Sequence, residues 1–319
     1  MARKPHSLEP VASIVQRLAV LLSAGVAPGS AWGYLAESQS GPMGERLAAI
    51  AAGSMSGSIA EAILGVLAQP GDAGEARRRA PMTSEDVAWR GLAAAWLVAT
   101  DAGASLAPSL RDLAESLRDL ARTQRELGVA LAGPAATAKM VMALPVVGVL
   151  FGLALGFDTL GTLFGTAPGG ICLALGVALM VAARGWNRRL LQSATPKKLT
   201  PGLHLGLLAI AVSGGASIGR ARLAVAAARA RCALVDDDSD AVIDEVLELS
   251  RRAGVPAAAL LRSEAEQARR AARSDAEEQA AKLNVTLMLP LGLCVLPAFM
   301  LLGVAPLMIA VISSTVGSF

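Results

Sequence analysis

Charge is what this 319-residue chain lacks, and it lacks it in two places. Between Met140 and Ala183 the only charged residue is Asp158, and from Asn284 to Phe319 there is none. Charged residues are 17% of the chain, against roughly a quarter in a soluble domain, and mean hydropathy is +0.51. Water-facing sequence is confined to two blocks. The stretches between and after them suit lipid.

Other scarcities exclude whole classes of function. Aromatics are 3% of the residues and the net charge is only +3, so the stacking platforms and clustered cations of a nucleic-acid groove are missing. Cys172, Cys232 and Cys294 are too widely spaced to suggest a disulfide framework or a metal site. His6 and His204 stand alone, which supplies neither a partnered general base nor a zinc ligand set. No stretch reads G-x-x-x-x-G-K-[ST]; Gly133–Lys139 fails on Pro134 and on spacing. No serine lies in a G-x-S-x-G context beside an available His and Asp. Asp236–Asp240 lacks the glycine turn and distal glutamate of a calcium loop. It reads as a solvated acidic loop before a helix N-terminus. No apolar core of a cleavable signal peptide occurs in Met1–Arg17. The expectation is a protein without catalytic residues, metal or cofactor.

What is present is membrane sequence. Ala135–Phe157 is 23 residues long, enough as a helix to cross a hydrocarbon core of ~30 Å. Leu163–Ala183 supplies a second span after a short turn. A third runs from about Asn284 to Ile312 and contains Pro290, Pro297 and Pro306. Each proline should free a backbone carbonyl and bend the helix. Lys139, Arg184, Arg188, Arg189, Lys197, Lys198 and Lys282 flank the spans on one side, whereas Asp158–Thr162 and Ser313–Phe319 carry no Lys or Arg. The positive-inside rule then places both charged blocks and the N-terminus in the cytoplasm and the C-terminus outside. Leu18–Ala36 and Leu199–Gly219 are also uncharged, but rich in Gly, Ser and Pro. They read as buried helical hairpins rather than spans. Gly148, Gly152 and Gly156 recur every four residues in the first span. That spacing allows close backbone approach, either between spans one and two or between copies of the protein.

The two charged blocks resemble each other. Asp101-Ala-Gly103, Arg111, Ala114, Arg118, Arg122 and Glu126 align with Arg252-Ala-Gly254, Arg262, Ala265, Arg269, Arg273 and Glu277 at a constant offset of 151 residues, as 262 − 111 shows. Ser23-Ala-Gly25 recurs as Ser213-Gly-Gly215. Ser84 and Asp240 are N-cap candidates, and Gly103 and Gly254 suit the left-handed C′ position. A helix of about 28 residues should follow each glycine and lead into a span. Its arginines either solvate a helix face, with i, i+4 partners such as Arg122 and Glu126, or form a docking patch. Four domains are expected: a helical bundle at 1–134, two spans at 135–183, a second bundle at 184–283, and a last span at 284–312. The fold class is all-α, polytopic, with two repeated cytoplasmic bundles and about three transmembrane helices.

This layout resembles the type II secretion F domain family, and within it the proteins of Tad-type (Flp) pilus assembly. The resemblance rests on Leu18-Ala-Val-Leu-Leu-Ser-Ala-Gly25, on the Leu106–Gly128 helix, and above all on Lys282-Leu followed by Leu-Pro290-Leu-Gly-Leu-Cys-Val-Leu-Pro297-Ala-Phe, with Pro306 beyond. The chain departs from the family in a Gly/Ser/Ala-rich insert at Ser38–Arg79 and in a shorter second block. The resemblance implies a platform in a bacterial inner membrane, set between a cytoplasmic secretion ATPase and pilin or pseudopilin subunits. It also implies assembly with itself or with another F-family protein. Candidate ATPase-docking residues are Arg118, Arg122, Arg269 and Arg273. Candidate packing or kink residues are Gly148, Gly152, Gly156, Pro290, Pro297 and Pro306. A repeat-built solute transporter is the rival; ionisable residues at membrane depth would favour it, and only Lys139 and Asp158 qualify, both at span ends.

Overall fold

A computed structural model describes residues 8–68, 82–154, 161, 164–193, 200–234, 240–306 and 308–309. These residues are helical throughout apart from turns and short connections. The chain divides into two compact units, Met1–Gln124 with Lys198–Arg273, and Arg125–Lys197 with Ser274–Phe319.

The first unit opens with α1 (Glu9–Ser23) and α2 (Pro28–Glu37), then α3 (Pro42–Ser56) and α4 (Ile59–Ala68). Prolines stand in the first turn of α1, α2 and α3, where the missing N–H costs nothing and the fixed φ suits a helix. Val11, Ile14, Val15 and Leu18 give α1 a buried stripe at helical spacing. The insert at Ser38–Arg79 contains two helices among its described residues. Its α3 and α4 bring Leu47, Ile50, Ala60 and Ile63 into the core, and 69–81 lie outside the described residues.

Helix α5 (Ser84–Ala102) is buried along its whole middle, from Val87 to Ala99 apart from Arg90. A helix apolar on every face belongs inside a domain. Gly91, Ala93, Ala94 and Ala95 let neighbouring helices close on it, while Trp89 and Trp96 meet Trp32 of α2 at centroid distances of 6.5 and 6.2 Å. The Trp32 and Trp89 indole N–H groups are buried without an acceptor, costing about 1–3 kcal/mol each. Burying ~200 Å² of tryptophan at ~25 cal/mol/Å² gives roughly 5 kcal/mol, so burial wins. The N-cap is Thr83, one residue before the expected Ser84. Its Oγ1 accepts from the Asp86 N–H at 3.1 Å and its own N–H donates to Asp86 Oδ2 at 3.2 Å. Aspartate at N3 selects the register because only Thr83 lies three residues before it.

The second charged block joins this same core. Helices α8 (Leu203–Ser213), α9 (Ile218–Arg231), α10 (Asp240–Ala253) and the start of α11 (Ala257–Thr286) contribute Leu207, Leu208, Val225, Ile243, Val246 and Leu261 to one cluster with α1–α5. The expected two bundles therefore share a single core. Both faces of α5 are apolar, so α8 and α9 cover what the first block leaves open. Arg90 Nη1 donates to the Cys232 carbonyl at 2.9 Å, and Arg231 pairs with Glu61 of α4 at 2.6 Å. The acidic run at Asp236–Asp240 falls outside the described residues except for Asp240, which opens α10.

The two uncharged stretches are hairpins of short helices, as their glycines and serines imply. Ser23 Oγ donates to Val20 O and Ser213 Oγ to Ile210 O, both at 2.8 Å. Gly25 and Gly215 follow at φ +85° and +86°, and Gly103 and Gly254 close α5 and α10 at φ +67° and +68°. Only glycine takes these left-handed angles at no steric cost.

In the second unit the spans belong to helices longer than expected. Helix α6 runs unbroken from Leu106 to Ala154, so the first expected span is its C-terminal part, with 155–157 outside the described residues. Helix α7 covers Ala167–Ser193 in place of Leu163–Ala183. Among the described residues, two helical stretches are long and apolar enough to cross a bilayer: Ala167–Asn187, and the apolar end of the run Ala257–Val304. Val147, Leu150, Ile171, Val181, Leu293 and Met300 are exposed on this unit. Such an apolar surface is stable in lipid and not in water.

Gly214 tests the shared core. A Cβ there would collide with the Ala102 carbonyl and come within 2.9 Å of Ala104 N, so the α8–α9 turn lies backbone-to-backbone on the α5–α6 turn. Gly214→Ala is expected to cost about 1–3 kcal/mol in urea unfolding of the detergent-solubilised protein. Gly219→Ala, with nothing within 4 Å, is expected to be neutral or stabilising. Equal effects would contradict the contact.

Candidate functional site

Two places bring together the residues singled out in the sequence. The first is a groove in the first unit, walled by the N-terminal part of α6, by α8 with the residues before it, and by α11. Leu113, Leu117, Leu203, Leu207 and Ile210 line it, with Asp112, Glu115, Glu266, Arg262 and Arg269 among its polar residues. Its volume is about 100 Å³. Gly202 permits the closure. At φ +73° its missing Cβ would lie 2.6 Å from the Ala265 carbonyl oxygen, so any side chain there would push α11 away.

The four candidate arginines do not form two equivalent exposed rows. Arg118 and Arg122 of α6 are exposed, and Arg118 Nη1 reaches Gln16 Oε1 of α1 at 3.5 Å. Arg269 and Arg273 of α11 are half-buried. Arg269 lines the groove, and its Nε is buried without a hydrogen-bond partner. Burial pulls its guanidinium below the ordinary arginine range, opposed by the carboxylates of Asp119, Glu266, Glu115 and Asp112. Arg262, one helical stretch earlier, pairs with Asp112 at 2.9 Å. The repeat assigns the arginines of both copies the same spacing, but tertiary packing gives them different surroundings. Arg118 and Arg122 lie at the surface. Arg269 is internal to the unit.

Side chains that could carry nucleophilic chemistry are engaged locally. Ser109 and Ser116 donate to the carbonyls of Ser105 and Asp112, four residues back, at 2.8 Å. His204 lies 3.2 Å from Arg229 Nη1 through its Nδ1. Cys232 is fully buried, and that burial pushes its thiol up to about 11, against the opposing pull of Arg90 and Arg231. The thiol therefore stays protonated at neutral pH and is a poor target for alkylation.

The second place is where the spans cross in the second unit. A Cβ on Gly148 would lie 3.2 Å from the Phe299 ring and 3.4 Å from Gly303 Cα. Gly148 thus packs on the last span rather than on α7. Gly152 belongs to the same helix α6, and Gly156 lies outside the described residues. A glycine the sequence reading passed over is Gly176 of α7: a Cβ there would collide with the Leu302 side chain, which is itself buried. Ala183, Cys294 and Val295 form a further small cluster with Met180, and Leu283 and Leu287 pack with Leu190.

The prolines act on this last span by changing its hydrogen-bond register. Past Thr286 the chain forms α12 (Met288–Pro290), a π-turn (Leu291–Val295), α13 (Leu296–Phe299) and a second π-turn (Met300–Val304). Each π-turn ends two residues before a proline, Pro297 or Pro306. Proline has no N–H and its ring crowds the carbonyl four residues back, so a bond reaching five residues back relieves the turn. Ala305 N–H donates to Met300 O in this way. Pro290 and Pro306 are buried and Pro297 is half-buried. The bends expected from these prolines take the form of π-turns.

Packing of Leu302 over Gly176 predicts a size rule. Gly176→Leu is expected to destabilise the purified protein by about 1–3 kcal/mol through overpacking, with much of the loss recovered by adding Leu302→Ala. Gly170→Leu, at an exposed position with nothing within 4 Å, is expected to leave the melting temperature unchanged. Failure of Leu302→Ala to rescue would contradict the crossing.

Residues 14–154, from within α1 to the last residue of α6, match the family described as Type II secretion system (T2SS), protein F. The resemblance read from the sequence to the type II secretion F family is met over that stretch, which is less than half of the chain. The match names the F family as a whole and not its Tad-type branch. No curated protein matches the chain.

Proposed function

We propose, from the F domain that residues 14–154 carry, that this chain is the membrane platform of a pilus-assembly machine of the Tad type. In this reading it hydrolyses nothing itself and takes its energy from a cytoplasmic secretion ATPase. The observation that carries the proposal is the pairing of a water-facing helical core, built from both charged blocks, with an apolar exposed unit compatible with a bilayer. Helices α6 and α11 contribute residues to both units, so whatever grips the first unit acts on the same helices that enter the second. The matching turns at Gly25 and Gly215, and at Gly103 and Gly254, support an origin of the two blocks by duplication.

The charge flanks support a cytoplasmic first unit and N-terminus, several spans, and an external C-terminus. The ATPase docks on the exposed pair Arg118 and Arg122, where an acidic partner face would form charge-assisted, salt-sensitive contacts. The half-buried Arg269 and Arg273 contribute to the unit's own cohesion instead. Pilin or pseudopilin subunits are engaged by the spans, and a second F-family subunit completes the platform.

Purified protein in nanodiscs is expected to release no phosphate from ATP above background. At low ionic strength it should capture the secretion ATPase encoded with it. The double variant Arg118→Glu/Arg122→Glu is expected to weaken capture at least about tenfold, a change of ~1.4 kcal/mol, without altering thermal stability. Intrinsic hydrolysis that survives purification to homogeneity would overturn the platform reading. Capture indifferent to the charge reversal would overturn only the docking surface.

A further inference from the structure

Helix α7 carries cations and no carboxylate: Ala167–Ser193 contains Arg184, Arg188 and Arg189 but neither Asp nor Glu. One face of it is packed. Leu302 lies over Gly176, Cys294 and Val295 meet Ala183, and Leu283 and Leu287 meet Leu190. On the other face Ala174, Ala178, Val181 and Gly185 are exposed, and a Cβ on Gly185 would have nothing within 4 Å. At the end of this free face Trp186 is 40% exposed, and Arg184 and Arg189 are exposed with it. From Ala167 to Trp186 the helix rises ~28 Å at ~1.5 Å per residue, close to the ~30 Å of hydrocarbon in a bilayer. The indole therefore falls at headgroup level, where its apolar ring and its N–H donor are both satisfied. At about 100° per residue, Gly185 lies on the free face between Arg184 and Arg189. Among the described residues neither of these arginines is ion-paired. On α11, where Leu283 meets Leu190, Lys282 is already paired with Glu278 at 2.6 Å.

We propose that this end of α7 binds the headgroup of an anionic phospholipid, its phosphate held between Arg184 and Arg189 and one acyl chain lying along Val181 and Ala178. The inference rests on the bilayer placement of the second unit in the reading above, and it uses neither Arg118 nor Arg122. A guanidinium gives a phosphate two parallel N–H bonds, and at the edge of the hydrocarbon the attraction is less screened than in water. The Trp186 N–H adds a donor at the same depth. A zwitterionic headgroup brings its own ammonium, which two unpaired guanidiniums repel. A headgroup of net negative charge brings none, so the site selects for net charge. The occupant is a lipid rather than a free phosphate because the cations stand directly on an exposed apolar face that acyl chains must cover. An acidic protein segment offers the charge without the chains.

The tryptophans allow the test in the unaltered protein. Trp32, Trp89 and Trp96 are buried in the first unit, at 0, 2 and 5% exposure, so bromine on lipid chains quenches Trp186 selectively. Full-length protein in phosphatidylcholine nanodiscs is titrated with dibrominated phosphatidylglycerol or with dibrominated phosphatidylcholine. The anionic lipid is expected to reach half-maximal quenching at no more than about one-fifth of the mole fraction that the zwitterionic lipid needs, the effect of one juxtamembrane cation. Arg184→Gln/Arg189→Gln is expected to bring the two curves together, and Trp186→Phe to remove the quenched emission. Equal curves in the parent protein, a comparison that needs no variant, would leave the arginines to a protein partner and overturn the headgroup site with the span intact. A preference that survives the double Gln variant would overturn it too. Emission that neither lipid quenches would mean that α7 does not lie in a bilayer, and would overturn the platform reading along with the site.

Discussion

Everything in the water-facing unit depends on α5 being surrounded. A helix with apolar residues on all sides belongs inside a domain, and here helices from both charged blocks cover it. Its small residues, Gly91 and the run Ala93–Ala95, allow close approach by helices from both charged blocks, and its tryptophans fill the remaining space against Trp32. Once α5 is enclosed by α4 on one side and by α8 and α9 on others, the two blocks cannot be independent bodies. The cross-block bonds from Arg90 to the Cys232 carbonyl and from Arg231 to Glu61 follow from that closure rather than cause it. Exposed pairs of the second kind contribute little by themselves.

Much of this was legible in the residues. Charge segregation announces the lipid-facing stretches, and the glycines at 103, 215 and 254 announce turns, because left-handed backbone has few other tenants. The serine before each hairpin turn repeats its carbonyl bond in both copies. What the residues do not announce is which apolar face covers which. Periodicity identifies a buried face on α1 or α10 but not its neighbour, so two closed bundles and one shared core look alike in sequence. The tryptophan cluster was hidden for the same reason, its members lying 57 and 64 positions apart (89 − 32 and 96 − 32). The sequence marks Ser38–Arg79 as a Gly/Ser/Ala-rich insert without saying that its helices α3 and α4 pack against α2 and α5.

The site residues divide along the same line. Pro297 and Pro306 were readable as distortions because proline chemistry is local. That Leu302 fills the notch at Gly176 depends on a neighbour 126 positions away (302 − 176). Arg269 shows the limit of reasoning by repeat. It occupies the position of Arg118, 151 residues on, yet faces a cluster of carboxylates inside the unit while Arg118 faces outward. Duplicated sequence preserves spacing and turns; burial is decided by what packs on each copy.

The central claim is that both charged blocks fold as one body around α5, and hydrogen exchange of the intact protein tests it directly. Trp96→Ala removes a core side chain of the first block, at a cost of about 3–5 kcal/mol. Amide protection should then fall together in α1, α2 and α4 and in α8 and α9 of the second block, since all of them share the core that α5 organises. Exchange that quickens only within residues 8–124, leaving 203–231 as protected as in the parent protein, would mean that the two blocks are separate bundles and would contradict the account.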